Sequence, residues 1–198
     1  MCIVSKQHLD HCPKGYTSSR TVPDMPGPVF LRGDTVDLHT VEREDIDFHH
    51  RNRNRPEVRH WMPAVHPKTR EAIEEQFEDR DEDDTALQGC VDGEPVGTVY
   101  LFDFNHASGK ARIGAWVDPE YHGAGYGTEM TELAVEYAFR ERRLHRLTAG
   151  ALATNDPSRA VLEKVGFEQE GRLRDGYYVR GEYVDRILYG LLESDYSE

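Results

Sequence analysis

Residues 118–129 read DPEYHGAGYGTE, with glycines at 123, 125 and 127. Glycine is the default where a backbone must take unusual φ/ψ angles or let another group come close. An apolar run, ARIGAWV at 111–117, precedes these glycines, and Met130, Leu133, Ala134, Tyr137 and Ala138 follow at helical spacing. The segment therefore reads as strand, glycine turn, helix. That order gathers backbone N–H groups and the positive end of a helix dipole at one spot, which suits an anion and phosphate above all. Two common phosphate loops fail on the letters. No GxxxxGK[ST] occurs, and a GxGxxG started at Gly123 or Gly125 would need its last glycine at Thr128 or Met130.

The remaining pattern is that of a mixed sheet. VFLRGDTVDLHTV, from Val29, offers two short apolar stretches around Gly33-Asp34. Helical patterns follow at Glu44 to His60 and Thr69 to Arg80, split by Trp61, Met62, Pro63 and Pro67, with Thr69 placed to cap the second. The acidic run Glu78 to Asp84 reads as a solvated helix end and loop. Asp92-Gly93 between two β-rich runs predicts a hairpin, and the second run, PVGTVYLFDF, is apolar on both faces, as a central strand should be. Strands are expected at 147–153, Phe167 to Leu173 and Tyr183 to Leu191. A helix between them starts at the cap Asp156 with Pro157 first inside, and stops at Gly166. The predicted order is β-α-α-β-β-β-α-β-α-β-β: one α/β (α+β) domain over 29–198, its mixed, mostly antiparallel sheet flanked by helices, after an irregular tail at 1–28. The strands before the glycines are joined by short turns instead of βα crossovers, which argues against a Rossmann half.

Charge narrows the setting. Asp and Glu total 37 against 24 Lys plus Arg, a formal net charge of -13, and the lysines are only Lys6, Lys14, Lys68, Lys110 and Lys164. Carboxylate in excess with little lysine favours a salt-rich cytoplasm over an ordinary acidic protein. The basic footprint of a nucleic-acid binder is missing. No run approaches the roughly 18 apolar residues of a membrane helix, and the first thirty residues hold no apolar signal core, so a soluble, cytoplasmic protein is expected. Cys2, Cys12 and Cys90 are odd in number and scattered, which fits a reducing compartment. Cys2, His8, His11 and Cys12 lack the paired spacing of zinc ligands, so no metal is assigned.

His122-Gly123-Ala124-Gly125-Tyr126-Gly127 matches the looser signature [QR]xxGx[GA] except at its first position, where histidine replaces glutamine or arginine. Here the chain resembles the GNAT superfamily of acyl-CoA-dependent N-acyltransferases. NDPSRAVLEKVGFEQEGRLRDGYYVRGEYVDRILYGLL at 155–192, together with PEVRHWMP and PKTREAIEEQF, is similar to the branch that acetylates the N termini of ribosomal proteins. The likeness covers roughly residues 29–192.

The resemblance implies acetyl-CoA as acetyl donor, its pyrophosphate on the N–H groups of Gly123 to Thr128. The pantetheine arm would run between strands 111–117 and 147–153, bonded by amides near Trp116 and Val117 and touched by Asn155. Ser158 matches the family serine beside the cofactor sulfur, where it would orient that sulfur or give it a proton; a serine at a helix start serves equally to satisfy backbone N–H groups. Tyr177 and Tyr178 are alternative proton donors. The base is open among Asp175, Glu170 and Asp185, acting through water, with His60 and His122 as further candidates. Trp61, Met62 and the Tyr177–Tyr183 segment would shape the acceptor site, nearby carboxylates attracting a cationic amine. The acceptor expected is a protein N terminus. A small amine, such as a polyamine or aminoglycoside, and a silent acyl-CoA sensor are the alternatives, and a homodimer is left open.

Overall fold

Alternating burial along the strands and one apolar stripe per long helix fix how the elements stack. The structure is a computed structural model and describes residues 26–62 and 66–196. The elements run β1 (Val29–Leu31), β2 (Asp37–Thr40), α1 (Ile46–Asn54), α2 (Pro56–Arg59), α3 (Arg70–Glu78), β3 (Thr85–Val91), β4 (Glu94–Asn105) and β5 (Lys110–Val117). Then come α4 (Tyr126–Arg140), β6 (Arg146–Leu152), α5 (Asp156–Val165), β7 (Glu168–Val179), β8 (Glu182–Leu192) and a last turn, α6 (Glu193–Tyr196). Eight strands form one sheet in the order β1-β2-β3-β4-β5-β6-β8-β7. Every neighbouring pair is antiparallel except β5 and β6. The α+β mixed sheet expected from the letters is what forms. The tail up to residue 25, with Cys2, His8, His11 and Cys12, and Pro63 lie outside the described residues.

The Asp92-Gly93 hairpin joins β3 to β4, both turn residues at positive φ (51° and 82°). Thr69 caps α3 by accepting the Ala72 amide. Three boundaries differ from expectation. The helix expected over Glu44–His60 breaks at Arg55, because the residue before Pro56 is pushed out of helical angles and sits at φ -65°, ψ 132°. The cap of α5 is Asn155, not Asp156: its side chain accepts the Ser158 amide, which puts Pro157 one position deeper. Finally, β7 runs on to Val179 by absorbing irregularities between Gln169 and Gly171 and between Leu173 and Tyr177.

The two sheet faces are covered differently. On one, Met130 of α4 fills the space that Gly89 of β3 leaves; a Cβ there would lie 2.6 Å from its sulfur. Tyr189 of β8 reaches α5, its hydroxyl donating to Glu163 at 3.0 Å. This face holds the main core, from Val36 and Leu38 through Ala134 and Leu147 to Leu191. On the other face Phe48 of α1 stacks on Trp116 at 5.4 Å, with Val58 of α2 beside them.

Candidate active site

Parallel pairing of β5 with β6 is confined to Lys110, Ala111 and Arg112, opposite Arg146, Leu147 and Thr148. Beyond Arg112 the strands part, β5 staying with β4 through Val117 and β6 with β8 through Leu152. A wedge opens in the sheet, one edge of each strand facing it. Asp118 donates its amide to Val96 of β4 at 2.8 Å. Strand alternation therefore turns the amides of Ala115 and Val117 into the wedge and that of Trp116 toward β4. The Val117 amide is thus open to the wedge. Trp116 differs: its amide faces β4, and its indole lies on the α1 side, donating to the Tyr100 hydroxyl at 3.3 Å.

At the open end of β5 stands the glycine turn. Gly123 and Gly125 have φ of 84° and 89°, and no atom lies within 4 Å of where a Cβ would sit, so the conformation, not crowding, demands glycine. Gly127 is different. It is helical, and an added Cβ would press on Val117 Cγ2 at 3.3 Å, so here the need is close packing of helix on strand. Among the described residues the amides of Gly123, Ala124, Gly125, Tyr126 and Gly127 donate to no protein acceptor; Thr128 ends the run by donating to Gly125 O at 3.0 Å. Such a set of open donors at the start of a 15-residue helix fits a doubly charged pyrophosphate. His122, the departure from the family signature, donates Nε2–H to Val117 O at 2.9 Å and pins the turn to the strand.

Asn155 and Ser158 stand just past the end of β6, on the other side of the wedge. Because Asn155 Oδ1 takes the Ser158 amide at 3.3 Å, the serine hydroxyl is not spent on capping, and among the described residues it bonds nothing. The half-buried Tyr177 has the Arg186 guanidinium 5.6 Å from its ring, whereas Tyr178 is exposed against Tyr183. Asp175 sits at φ 50° in the second β7 irregularity, with its carboxylate exposed and its amide donating to Asp185 Oδ1 at 2.8 Å. That amide, and the Arg172 guanidinium bonded to the same carboxylate, hold Asp185 below the ordinary carboxylate range. Asp185 is thereby a poor base, and Glu170 is occupied by Arg146. Asp175 is the acid of the three without a side-chain partner among the described residues.

The acceptor side contains residues that the letters alone did not single out. Arg55, in the break between α1 and α2, bonds Asp118 at 3.0 Å and Glu120 at 3.2 Å, tying those helices to the approach of the glycine turn. At the tip of the β7–β8 hairpin Arg180 donates to His60 Nδ1 at 3.0 Å and bridges the hairpin to α2. Burial, Arg180 and Arg59 all push the His60 pKa down, consistent with a neutral ring accepting that bond. Met62 joins the Phe48–Trp116 wall as expected, while Trp61 is 43% exposed. Arginines stand here beside carboxylates such as Glu57: Arg180 and Arg59 both act on His60. The run RNRNRPEVR alternates arginines, but only the fold sets it against the β7–β8 hairpin. Among the described residues no helix is long and apolar enough to cross a membrane, and no group of three or more His, Cys, Asp or Glu is placed to hold a metal.

Comparison with known proteins agrees with this geometry. The Acetyltransferase (GNAT) domain family matches residues 36–168. A putative ribosomal N-acetyltransferase, YdaF, of Bacillus subtilis is 38% identical over 106 residues, 54% of this chain and 58% of that protein. The spermidine N(1)-acetyltransferase of Escherichia coli is 28% identical over 82% of this chain and 88% of its own. Among solved structures, spermidine N-acetyltransferase from Vibrio cholerae in complex with CoA and spermine superposes with a TM-score of 0.80 at 22% identity, covering 84% of this chain and 100% of that one. RimJ of Mycobacterium smegmatis in complex with CoA-disulfide gives 0.71 at 28% identity, over 82% and 84%. The wedge, the open amides and the matched domain together make this chain a member of the GNAT acetyltransferase family, an N-acetyltransferase that takes its acetyl group from acetyl-CoA.

Proposed function

We propose that the acceptor is the N-terminal α-amine of a protein, a ribosomal one by kinship, reached from the sheet face opposite α4. The observation that carries this reading is the charge of the mouth. Arg53, Arg59 and Arg180 border it, and among the described residues none is in an ion pair with a carboxylate, a poor welcome for a polyamine. Likeness to a putative ribosomal N-acetyltransferase supports the same acceptor. The competing acceptor, a polyamine, draws on likeness to spermidine acetyltransferases over most of the chain.

In this reading the amides of Gly123 to Gly127 hold the pyrophosphate, and those of Ala115 and Val117 bond the pantetheine arm, with Asn155 across the wedge. Acetyl-CoA supplies the thioester. The acceptor nitrogen, once neutral, bonds to the carbonyl carbon, and the carbon–sulfur bond breaks. A wedge amide stabilises the charge that develops on the carbonyl oxygen. Ser158 Oγ–H gives the departing sulfur its proton, with Tyr177 as the second candidate, and Asp175 takes the amine proton through water. The surplus of carboxylate supports a salt-rich cytoplasm as the setting. Thiol release from acetyl-CoA in molar KCl, run with peptide N termini and separately with spermidine and an aminoglycoside, tests the reading. Turnover with peptides bears it out; turnover with the small amines alone overturns it.

A further inference from the structure

Two half-buried arginines, Arg53 and Arg186, lie on the sheet face opposite α4 with no counter-charge among the described residues. Arg53, in the last turn of α1, has one bond among the described residues, to the Met62 sulfur at 3.4 Å, and a thioether is a weak acceptor. It lies close enough to Tyr100, the partner of the Trp116 indole, to act on it electrostatically. Arg186 of β8 stands on the same sheet face across the wedge. Its register partners are Leu152 of β6 and Leu173 of β7, and its guanidinium fills the space over Gly150, where a Cβ would meet Nε at 2.6 Å. The face assignment follows from alternation: Ile187, Tyr189 and Leu191 point to the core and α5, so Arg186 points the other way.

Neighbouring arginines show what is missing. Arg55 and Arg172 are matched by Asp118, Glu120 and Asp185. Arg53 and Arg186 have no such partner among the described residues, in a chain whose carboxylates outnumber its cations 37 to 24. A partly desolvated guanidinium with most of its N–H groups unmet is costly unless an anion arrives to use them. Both cations lie on the sheet face from which the acceptor is proposed to enter, Arg186 beside Tyr177, so the anion that completes them is assigned to the acceptor.

Resting on the protein N-terminal reading above, we infer that the enzyme selects N termini followed within the next two or three residues by Asp or Glu, the carboxylate being bound between Arg53 and Arg186. An extended chain advances about 3.3–3.6 Å per residue, so successive positions sample the floor of the mouth while the α-amine remains at the wedge. A charge pair of this sort commonly changes binding by roughly tenfold or more. A polycation would instead meet two like charges.

The test is a set of N-terminal peptides identical except for Glu, Gln or Lys at the second or third residue, with spermidine alongside, each scored by kcat/KM for thiol release. The expected result is that a Glu peptide exceeds its Lys counterpart at least about tenfold. Arg53→Gln and Arg186→Gln bring that ratio toward one, and Arg186→Glu reverses it. Equal rates for Glu and Lys peptides in the wild-type enzyme, or faster Lys peptides, overturn the inference and leave the peptide reading standing. Acetylation of spermidine with no peptide acetylated overturns the reading beneath it. A Glu preference that persists undiminished in both Gln variants also overturns the inference, and an absent wild-type preference overturns it even where a variant melts early.

Discussion

His49, on the buried face of α1, is 1% exposed and ringed by Phe48, Phe77 and Trp116. Burial brings its pKa from 6.5 down to about 4, the cations of Arg53 and Arg80 pushing the same way. The folded protein therefore holds the ring neutral where the unfolded chain would already protonate it. A depressed folded pKa gives stability that is complete above about pH 6.5 and is lost as the pH falls toward about 4. One pKa unit corresponds to about 1.4 kcal/mol, so the full shift is worth about 3 kcal/mol. Between pH 7.5 and 5.5 the loss should be about 1 kcal/mol. Replacing His49 with leucine removes the proton site while keeping an apolar side chain in the core. Urea unfolding of both proteins at pH 7.5, 6.5 and 5.5 and constant ionic strength reads the difference. The wild type should lose about 1 kcal/mol more than His49→Leu over that window, whatever the absolute stabilities. Parallel losses in the two proteins would refute the reasoning.

Three other expectations follow from the site. Gly125→Ala places a Cβ at φ 89° and strains the cap of α4 by about 1–2 kcal/mol, so the KM for acetyl-CoA should rise roughly tenfold in a steady-state assay with the acceptor saturating. Asp118→Asn breaks a pair in which the Asp118 side chain is 4% exposed; urea unfolding should show a loss of about 2–3 kcal/mol, and acetyl-CoA should bind more weakly because Asp118 begins the approach to the glycine turn. Ser158→Ala should lower kcat by about tenfold or more with the melting temperature unchanged, since the hydroxyl bonds nothing among the described residues; an unchanged kcat would remove it from the chemistry.

What the letters disclose here is local. Asp92-Gly93, the glycine turn and the stripe from Met130 to Ala138 each carry their geometry within a dozen residues, because turn angles and helical spacing are set by neighbours in the chain. The break at Arg55 was legible in Pro56 but masked by an otherwise helical pattern. The exchange of Asp156 for Asn155 as cap turns on which of two adjacent side chains meets the Ser158 amide, a choice that either residue type permits. The wedge was anticipated only through the family resemblance. Nothing in ARIGAWV states that pairing with β6 ends at Arg112, since register is a property of two strands at once. The mouth was least legible. Arg53 and Arg186 come from opposite ends of the domain, and the bridge between Arg180 and His60 joins a hairpin tip to a helix end far away in the chain. Asp185 and Glu170 look like free acids in sequence, and it is Arg172 and Arg146, brought in by the sheet, that occupy them.

The most direct test of acetyl transfer to a protein α-amine uses isotope-labelled acetyl-CoA with a peptide carrying both a free N terminus and an internal lysine, in competition with spermidine. Fragment mass spectra locate the label. The account predicts label on the peptide α-amine, with the lysine and spermidine nearly unlabelled. Label on spermidine with the peptide unmodified would contradict it.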